Sequence, residues 1–219
     1  MKINMDFTKP VIVQTNNEPW VDSPLPGVKR RMLERDGGEF ITRATSIVNY
    51  DKNSFFSEHT HTGGEEFIVL DGIFSDESGQ APKGMCVRNP PGSSHAPFSE
   101  QGCRIFVKLE QFNPEDTEFV RIDTSKTDWL SHSETGVKEM LLYAGKRETV
   151  KLVAIPDGGA VNHETFPGGC EILVMKGTVV IDQQSYGQHT WIRRPPNSEF
   201  SIAGQDSAQI YVKYGYLLD

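Results

Sequence analysis

The chain has 219 residues, 37% of them hydrophobic, enough for one large or two small domains that each bury a core. Its formal net charge of −8, from 22 basic against 30 acidic residues, carries no basic cluster, which argues against nucleic acid or an anionic membrane as the main partner. No apolar run approaches the roughly 20 residues of a membrane span, and the opening Met1-Lys2-Ile3-Asn4-Met5-Asp6 lacks the pattern of a secretory signal, so a cytoplasmic protein is expected.

Read in chain order, Trp20 precedes a first series of short β-branched and aromatic runs and is expected to anchor packing. Glu66-Phe67-Ile68-Val69-Leu70 and Ile105-Phe106-Val107-Lys108-Leu109 are two of these runs, and Gly and Pro segments such as Ser78-Gly79-Gln80 and Pro156-Asp157-Gly158-Gly159 separate them as turns. The pattern predicts an all-β fold with little helix. Arg43, Arg88 and Lys108 fall on these runs, where a solvated strand face is the expected place for a charge. The three cysteines, Cys86, Cys103 and Cys170, are odd in number and never form Cys-x-x-Cys, so they read as reduced, buried or half-buried thiols. His132 is expected to be exposed, and Trp129 to be a second packing anchor.

The chemistry concentrates between residues 59 and 95. His59 and His61 stand at i and i+2 in Glu58-His59-Thr60-His61, so a strand turns both imidazoles to one side. The tight Thr62-Gly63-Gly64 turn can return Glu65 to the same point, and His95 follows the rigid Pro90-Pro91-Gly92 turn. Nitrogen donors mixed with one carboxylate suit zinc, iron, manganese, nickel or copper better than calcium or magnesium.

The halves of the chain repeat. Gly63-Gly64-Glu65-Glu66-Phe67-Ile68-Val69-Leu70 returns at Gly168-Gly169-Cys170-Glu171-Ile172-Leu173-Val174-Met175, Arg88-Asn89-Pro90-Pro91 at Arg193-Arg194-Pro195-Pro196, and Ile105-Phe106-Val107-Lys108 at Ile210-Tyr211-Val212-Lys213. The offsets 168 − 63, 193 − 88 and 210 − 105 all equal 105, which indicates a duplicated domain, residues 1–112 and 113–219.

His59-x-His61-x3-Glu65-x6-Gly72 resembles the first cupin motif and Gly84-x5-Pro90-x-Gly92-x2-His95 the second. Ser23-Pro24-Leu25-Pro26-Gly27, Arg43-Ala44-Thr45-Ser46 and Arg88-Asn89-Pro90-Pro91-Gly92-Ser93-Ser94-His95 are similar to ChrR-type cupins, over roughly residues 19–112. The resemblance implies two tandem jelly-roll (double-stranded β-helix) barrels. It also implies that His59, His61, Glu65 and His95 hold one divalent transition metal, zinc or iron in the first place and manganese or nickel as alternatives. The x6-Gly72 count selects Glu65 over its neighbour Glu66, which would face the other way. The chain departs from the usual pattern at Ser99, where an Asn is common, and at Asn53, where a Gly is common. In the second copy the four ligand positions become Glu164, Phe166, Cys170 and Phe200, so that barrel is expected to be degenerate. Its alternative is a remodelled site of His163, Glu164, Cys170 and His189.

Two functions follow from the resemblance. One is a small-molecule dioxygenase or related metalloenzyme acting on a carbonyl compound, as in the similar acetylacetone-cleaving enzymes. The other is a regulatory or sensor module related to the ChrR anti-sigma factors; those restrain a sigma factor through a helical zinc segment, which this chain lacks, so a sigma-factor partner is not expected. A small-molecule ligand is expected, and pairing through sheet edges would give a homodimer.

Overall fold

The structure, a computed structural model, describes residues 1–217, apart from the side chains of 162–164. Regular structure is almost all strand, and the one helical turn among the described residues is Thr15–Asn17. The chain forms two compact units, Met1–Met5 with Asn17–Lys126 and Asp6–Asn16 with Thr127–Asp219.

In the first unit an antiparallel sheet runs in the order Lys2–Ile3, Val28–Gly37, Ile41–Tyr50, Cys103–Leu109, Glu65–Asp76, Met85–Asn89 and Val120–Asp123. The strand Glu65–Asp76 bends at Gly72, beyond which it pairs with Gly79–Pro82 and Phe98 in the second layer of the jelly roll. Gly72 has φ +72°, and a Cβ there would lie 2.1 Å from the Gly102 carbonyl oxygen, so only glycine fits the bend. His59–His61 pairs antiparallel with Ser93–His95 in a short ribbon. Phe67, Val69, Phe74, Val87, Ile105 and Val107 form the core.

The outer side of this sheet is not the solvated face that the sequence suggests. Arg88 and Lys108 are each 1% exposed. Arg88 is ion-paired with the equally buried Glu66, and Lys108 Nζ donates to Thr45 Oγ1 at 3.0 Å. Arg43 is half-buried and bonds Glu34 at 2.5 Å. The two guanidinium charges are compensated there by carboxylates and the Lys108 ammonium is hydrogen-bonded, whereas an isolated buried ion is costly. Trp20 is half-buried, with the Arg31 guanidinium 4.2 Å from its ring centroid.

The second unit repeats the plan, with Lys138–Ala144, Thr149–Ile155, Ser198–Tyr214, Cys170–Ile181, Thr190–Arg194 and Val11–Gln14 adjacent in that order. It keeps the outer charge row: Lys213, Glu171 and Arg193 stand where Lys108, Glu66 and Arg88 stand in the first copy, and all three are fully buried. The three cysteines form no disulfide and are buried. Burial pushes the Cys103 thiol up to about 11, against a small opposing effect of the Ser99 hydroxyl.

The units do not coincide with the sequence repeats at their leading ends. The expected boundary lies at 112/113, whereas the compact units divide at 126/127, and Asp6–Asn16 belongs to the second unit. Val120–Asp123 thereby pairs with Met85–Asn89, and Val11–Gln14 with Thr190–Arg194. Each leading strand covers what would otherwise be an open sheet edge.

Candidate metal centre

The turn Thr62-Gly63-Gly64 reverses the chain between the histidine strand and Glu65. Gly64 has φ +80°, and the Phe112 ring lies 2.5 Å from where its Cβ would be, so a side chain there would displace the ring. The His61 carbonyl accepts from the Gly92 N–H at 2.8 Å, which ties the Pro90-Pro91-Gly92 turn to the histidine strand. In the ribbon His95 stands opposite His59, and Ser93 opposite His61. Asn53 adopts the left-handed conformation, φ +61°, that a Gly or Asn accepts at that turn.

Strand parity and these turns bring all four expected residues together. Ring nitrogens of His59, His61 and His95 lie within 4.8 Å of one another. His61 Nε2 and His95 Nε2 are 2.9 Å apart, and Glu65 Oε2 is 3.5 Å from each. Donors bound to one ion at about 2.1 Å stand about 3.0 Å apart at right angles and about 3.4 Å apart at tetrahedral angles, so the His61, His95 and Glu65 separations fit a shared transition metal, with the His59 imidazole beside them. His61, Glu65 and His95 are buried and His59 is half-buried. Glu66 points to the opposite side of its strand, toward Arg88.

The outer nitrogens are fixed. His59 Nδ1 donates to the Ser57 carbonyl at 2.9 Å, and His95 Nδ1 to Asp76 Oδ2 at 3.4 Å, leaving each Nε2 lone pair for the centre. Asp76 is held in turn by Arg121 at 3.3 Å, and Glu65 Oε2 accepts from Asn89 Nδ2 at 2.9 Å. Asp76 and Asn89, which contact the candidate ligands, are the site residues that motif reading passed over. A signal was available: at the 105 offset they become Ile181 and Arg194, so they disappear from the second copy together with the ligands. Ser99 plays no such part, since its hydroxyl donates to the Ile73 carbonyl at 2.6 Å.

Electrostatics separate the two inner imidazoles. Burial lowers the His61 pKa, with Glu65 opposing and the other two imidazoles adding to the effect. Burial acts on His95 in the same sense, but the hydrogen bond to Asp76 and the charges of Glu65 and Asp76 outweigh it and raise its pKa. Burial opposes ionisation of Asp76, yet His95 and Arg121 together hold its pKa below the usual carboxylate value.

The centre opens into a cavity of about 520 Å3 inside the first unit, lined by His59, His61 and Glu65 and walled by Leu25, Val28, Ile41, Val48, Ile105, Val107 and Leu109. Tyr50 also lines it; burial first, then Glu65 and Cys103, push its phenol well above the ordinary range, so it is a neutral hydroxyl.

The second unit differs at the same place. Phe166 and Phe200, which replace His61 and His95, stack with centroids 5.0 Å apart at 29°, and the His61 and His95 rings are 4.8 Å apart. Cys170, in the Glu65 position, is fully buried with them in an apolar cluster containing Ile172, Val174 and Ile192. Of the alternative set, the side chains of His163 and Glu164 lie outside the described residues. The chain matches the ChrR cupin-like domain family over residues 8–113 and again over 117–218.

The chain belongs to that family. This cupin also shares its fold with solved structures. A candidate dioxygenase from Nostoc punctiforme is 15% identical with a TM-score of 0.77, over 97% of this chain and 85% of that one. The pirin YhhW from Escherichia coli, solved with nickel(II), is 12% identical with a TM-score of 0.72, over 96% and 100%. An oxalate decarboxylase from Lactobacillus farciminis, solved as a formate complex, is 10% identical with a TM-score of 0.70, over 95% and 86%. No curated protein sequence matches the chain. No helix among the described residues is long and apolar enough to cross a membrane.

Proposed function

We propose that this bicupin is a metalloenzyme whose first barrel holds one divalent transition metal through His59, His61, His95 and Glu65, and that it acts as a dioxygenase or related enzyme on a small carbonyl compound. The supporting observation is that His61 and His95 nitrogens stand 2.9 Å apart with a Glu65 oxygen 3.5 Å from each, a His59 nitrogen lies within 4.8 Å of the other two imidazoles, and His59, His61 and Glu65 line a ligand-sized cavity. When bound, such a metal supplies Lewis acidity toward a carbonyl oxygen and, if it is iron, redox chemistry with dioxygen. The chain's own residues supply the rest. Asp76 and the Ser57 carbonyl orient His95 and His59, Asn89 holds the Glu65 oxygen, and the aliphatic walls exclude water from the reacting group. The names of the Nostoc and Lactobacillus neighbours, a candidate dioxygenase and an oxalate decarboxylase, are compatible with oxygen-bearing small substrates. The test is oxygen uptake by protein loaded anaerobically with Fe(II), screened against β-diketones and β-keto acids. Consumption with one of these classes, lost when zinc replaces iron, is the expected result. A second reading rests on the ChrR family match: the same site binds a small molecule as a sensor without turning it over. Absence of turnover with any metal, together with reproducible capture of one protein partner, would favour it.

A further inference from the structure

The cavity holds a cation that the metal centre does not use. In the strand Val28–Gly37, Met32 pairs with Ser46 and Glu34 with Thr45, so Leu33 is an extra residue, a β-bulge. The bulge reverses the inward parity of the strand. Before it the even-numbered Val28 and Arg30 line the cavity, and after it Arg35 does, while Glu34 turns to the outer side to meet Arg43. Arg35 then lies in one continuous cross-strand row with Ala44, Leu109 and Glu65, all four of which line the cavity. Three strand spacings separate Arg35 from Glu65, about 14 Å measured along the curved sheet.

Arg35 is 3% exposed. Its Nη2 donates to the Gly38 carbonyl, and no carboxylate lies within ion-pair distance of it among the described residues. The acids of the cavity are otherwise engaged. Glu39 is bonded to Arg30 at 2.7 Å, Glu65 lies at the imidazoles, and Glu110 accepts from Thr62 Oγ1 at 2.6 Å. Burial first, then Arg30, pull the Arg35 guanidinium below its ordinary pKa, with Glu39 opposing; a bound anion would relieve both effects. A buried guanidinium without a carboxylate is costly unless something else compensates it, and its planar fork matches a carboxylate.

We propose that Arg35 is the specificity-determining residue of the cavity and receives the carboxylate of the substrate, which makes the substrate a monocarboxylate with an apolar middle and a carbonyl group at the metal end. The inference rests on the metal-centred reading above for the carbonyl end only. One uncompensated cation calls for one negative charge, which favours a carboxylate over a phosphate monoester, and the aliphatic walls between the two ends favour hydrocarbon.

The test measures binding by calorimetry of 6-oxoheptanoate and of its primary amide to the full chain, both metal-loaded and chelator-treated. Replacing a charge-assisted pair by a neutral contact typically costs about ten-fold or more in affinity, so the acid should bind at least that much tighter than the amide. Arg35→Gln should abolish the preference and Arg35→Lys should retain part of it. Circular dichroism and metal content report whether each variant has folded. Equal affinity of wild type for acid and amide, failure of both to bind at millimolar concentration, or a preference that survives in folded Arg35→Gln would each overturn the proposal. An Arg35-dependent preference in protein that takes up no metal when loading is attempted would support the carboxylate subsite while removing the metal-centred reading, so the two failures are distinguishable.

Discussion

Glu65 and Glu66 are neighbours in the chain with different surroundings, one against His61 and His95, the other against a fully buried guanidinium. Their substitutions should therefore separate cleanly. Glu66→Ala weakens the compensation of Arg88 and should cost about 3–5 kcal/mol of stability, read by urea denaturation, with metal content per folded molecule unchanged. His95→Ala should instead abolish tight metal binding. Equal metal loss in both variants would place the ligand at the wrong glutamate. Asp76 acts through His95, at 3.4 Å from its Nδ1, and Asp76→Asn keeps the shape of the side chain while removing its charge. The expected loss is about 10–100-fold in metal affinity, as for other residues that orient a metal-bound histidine, measured by competition with a chromogenic chelator. Unchanged affinity would mean that the Asp76 contact does not bear on the centre.

At the scale of the element, the strands that matter most are the ones whose position the repeat does not announce. Val11–Gln14 covers the strand Thr190–Arg194, where Trp191 and Ile192 are fully buried. Removing residues 1–16 opens that edge and also strips the two-residue strand Lys2–Ile3 from the first unit. The truncated protein should melt at lower temperature and scatter light on standing, because an exposed edge pairs with other chains. The four ligand residues are untouched, so metal bound per soluble chain should stay at the wild-type value. A truncated protein with unaltered melting and solubility would show that Val11–Gln14 contributes nothing to the second unit. The Leu33 bulge is the other decisive element, since a regular strand would turn Glu34 inward and Arg35 out.

At the scale of the whole molecule, the two copies keep one scaffold and use its centre differently. The proposed reading gives one metal ion per chain by elemental analysis, and two ions at full occupancy would end it. In the second unit the Phe166 and Phe200 stack fills the equivalent place, so Phe200→Ala should cost about 3–5 kcal/mol through the cavity it leaves. That cost should be the same with and without chelator. Wild-type stability, by contrast, should fall when metal is withdrawn, because a ligand that binds only the folded state stabilises it. A Phe200→Ala protein as stable as wild type would mean that the ring adds nothing to the core.

The sequence by itself determined the all-β class, the duplication at an offset of 105, the family, and the four residues that converge near the cavity. Each of these depends on short-range rules: strand parity places His59 with His61, a glycine turn returns Glu65, and turn residues space the strands. What only the tertiary structure decided depends on pairs far apart in the chain. The contacts of Asp76 with His95 and of Asn89 with Glu65 span 19 and 24 residues, and no local spacing encodes them. Burial of Arg88 and Lys108 depends on both faces of their sheet being covered, which a period-two pattern does not reveal. The reciprocal placement of Val11–Gln14 and Val120–Asp123, and the bulge that aims Arg35 inward, are properties of hydrogen-bond register between strands, and register exists only once the strands have met.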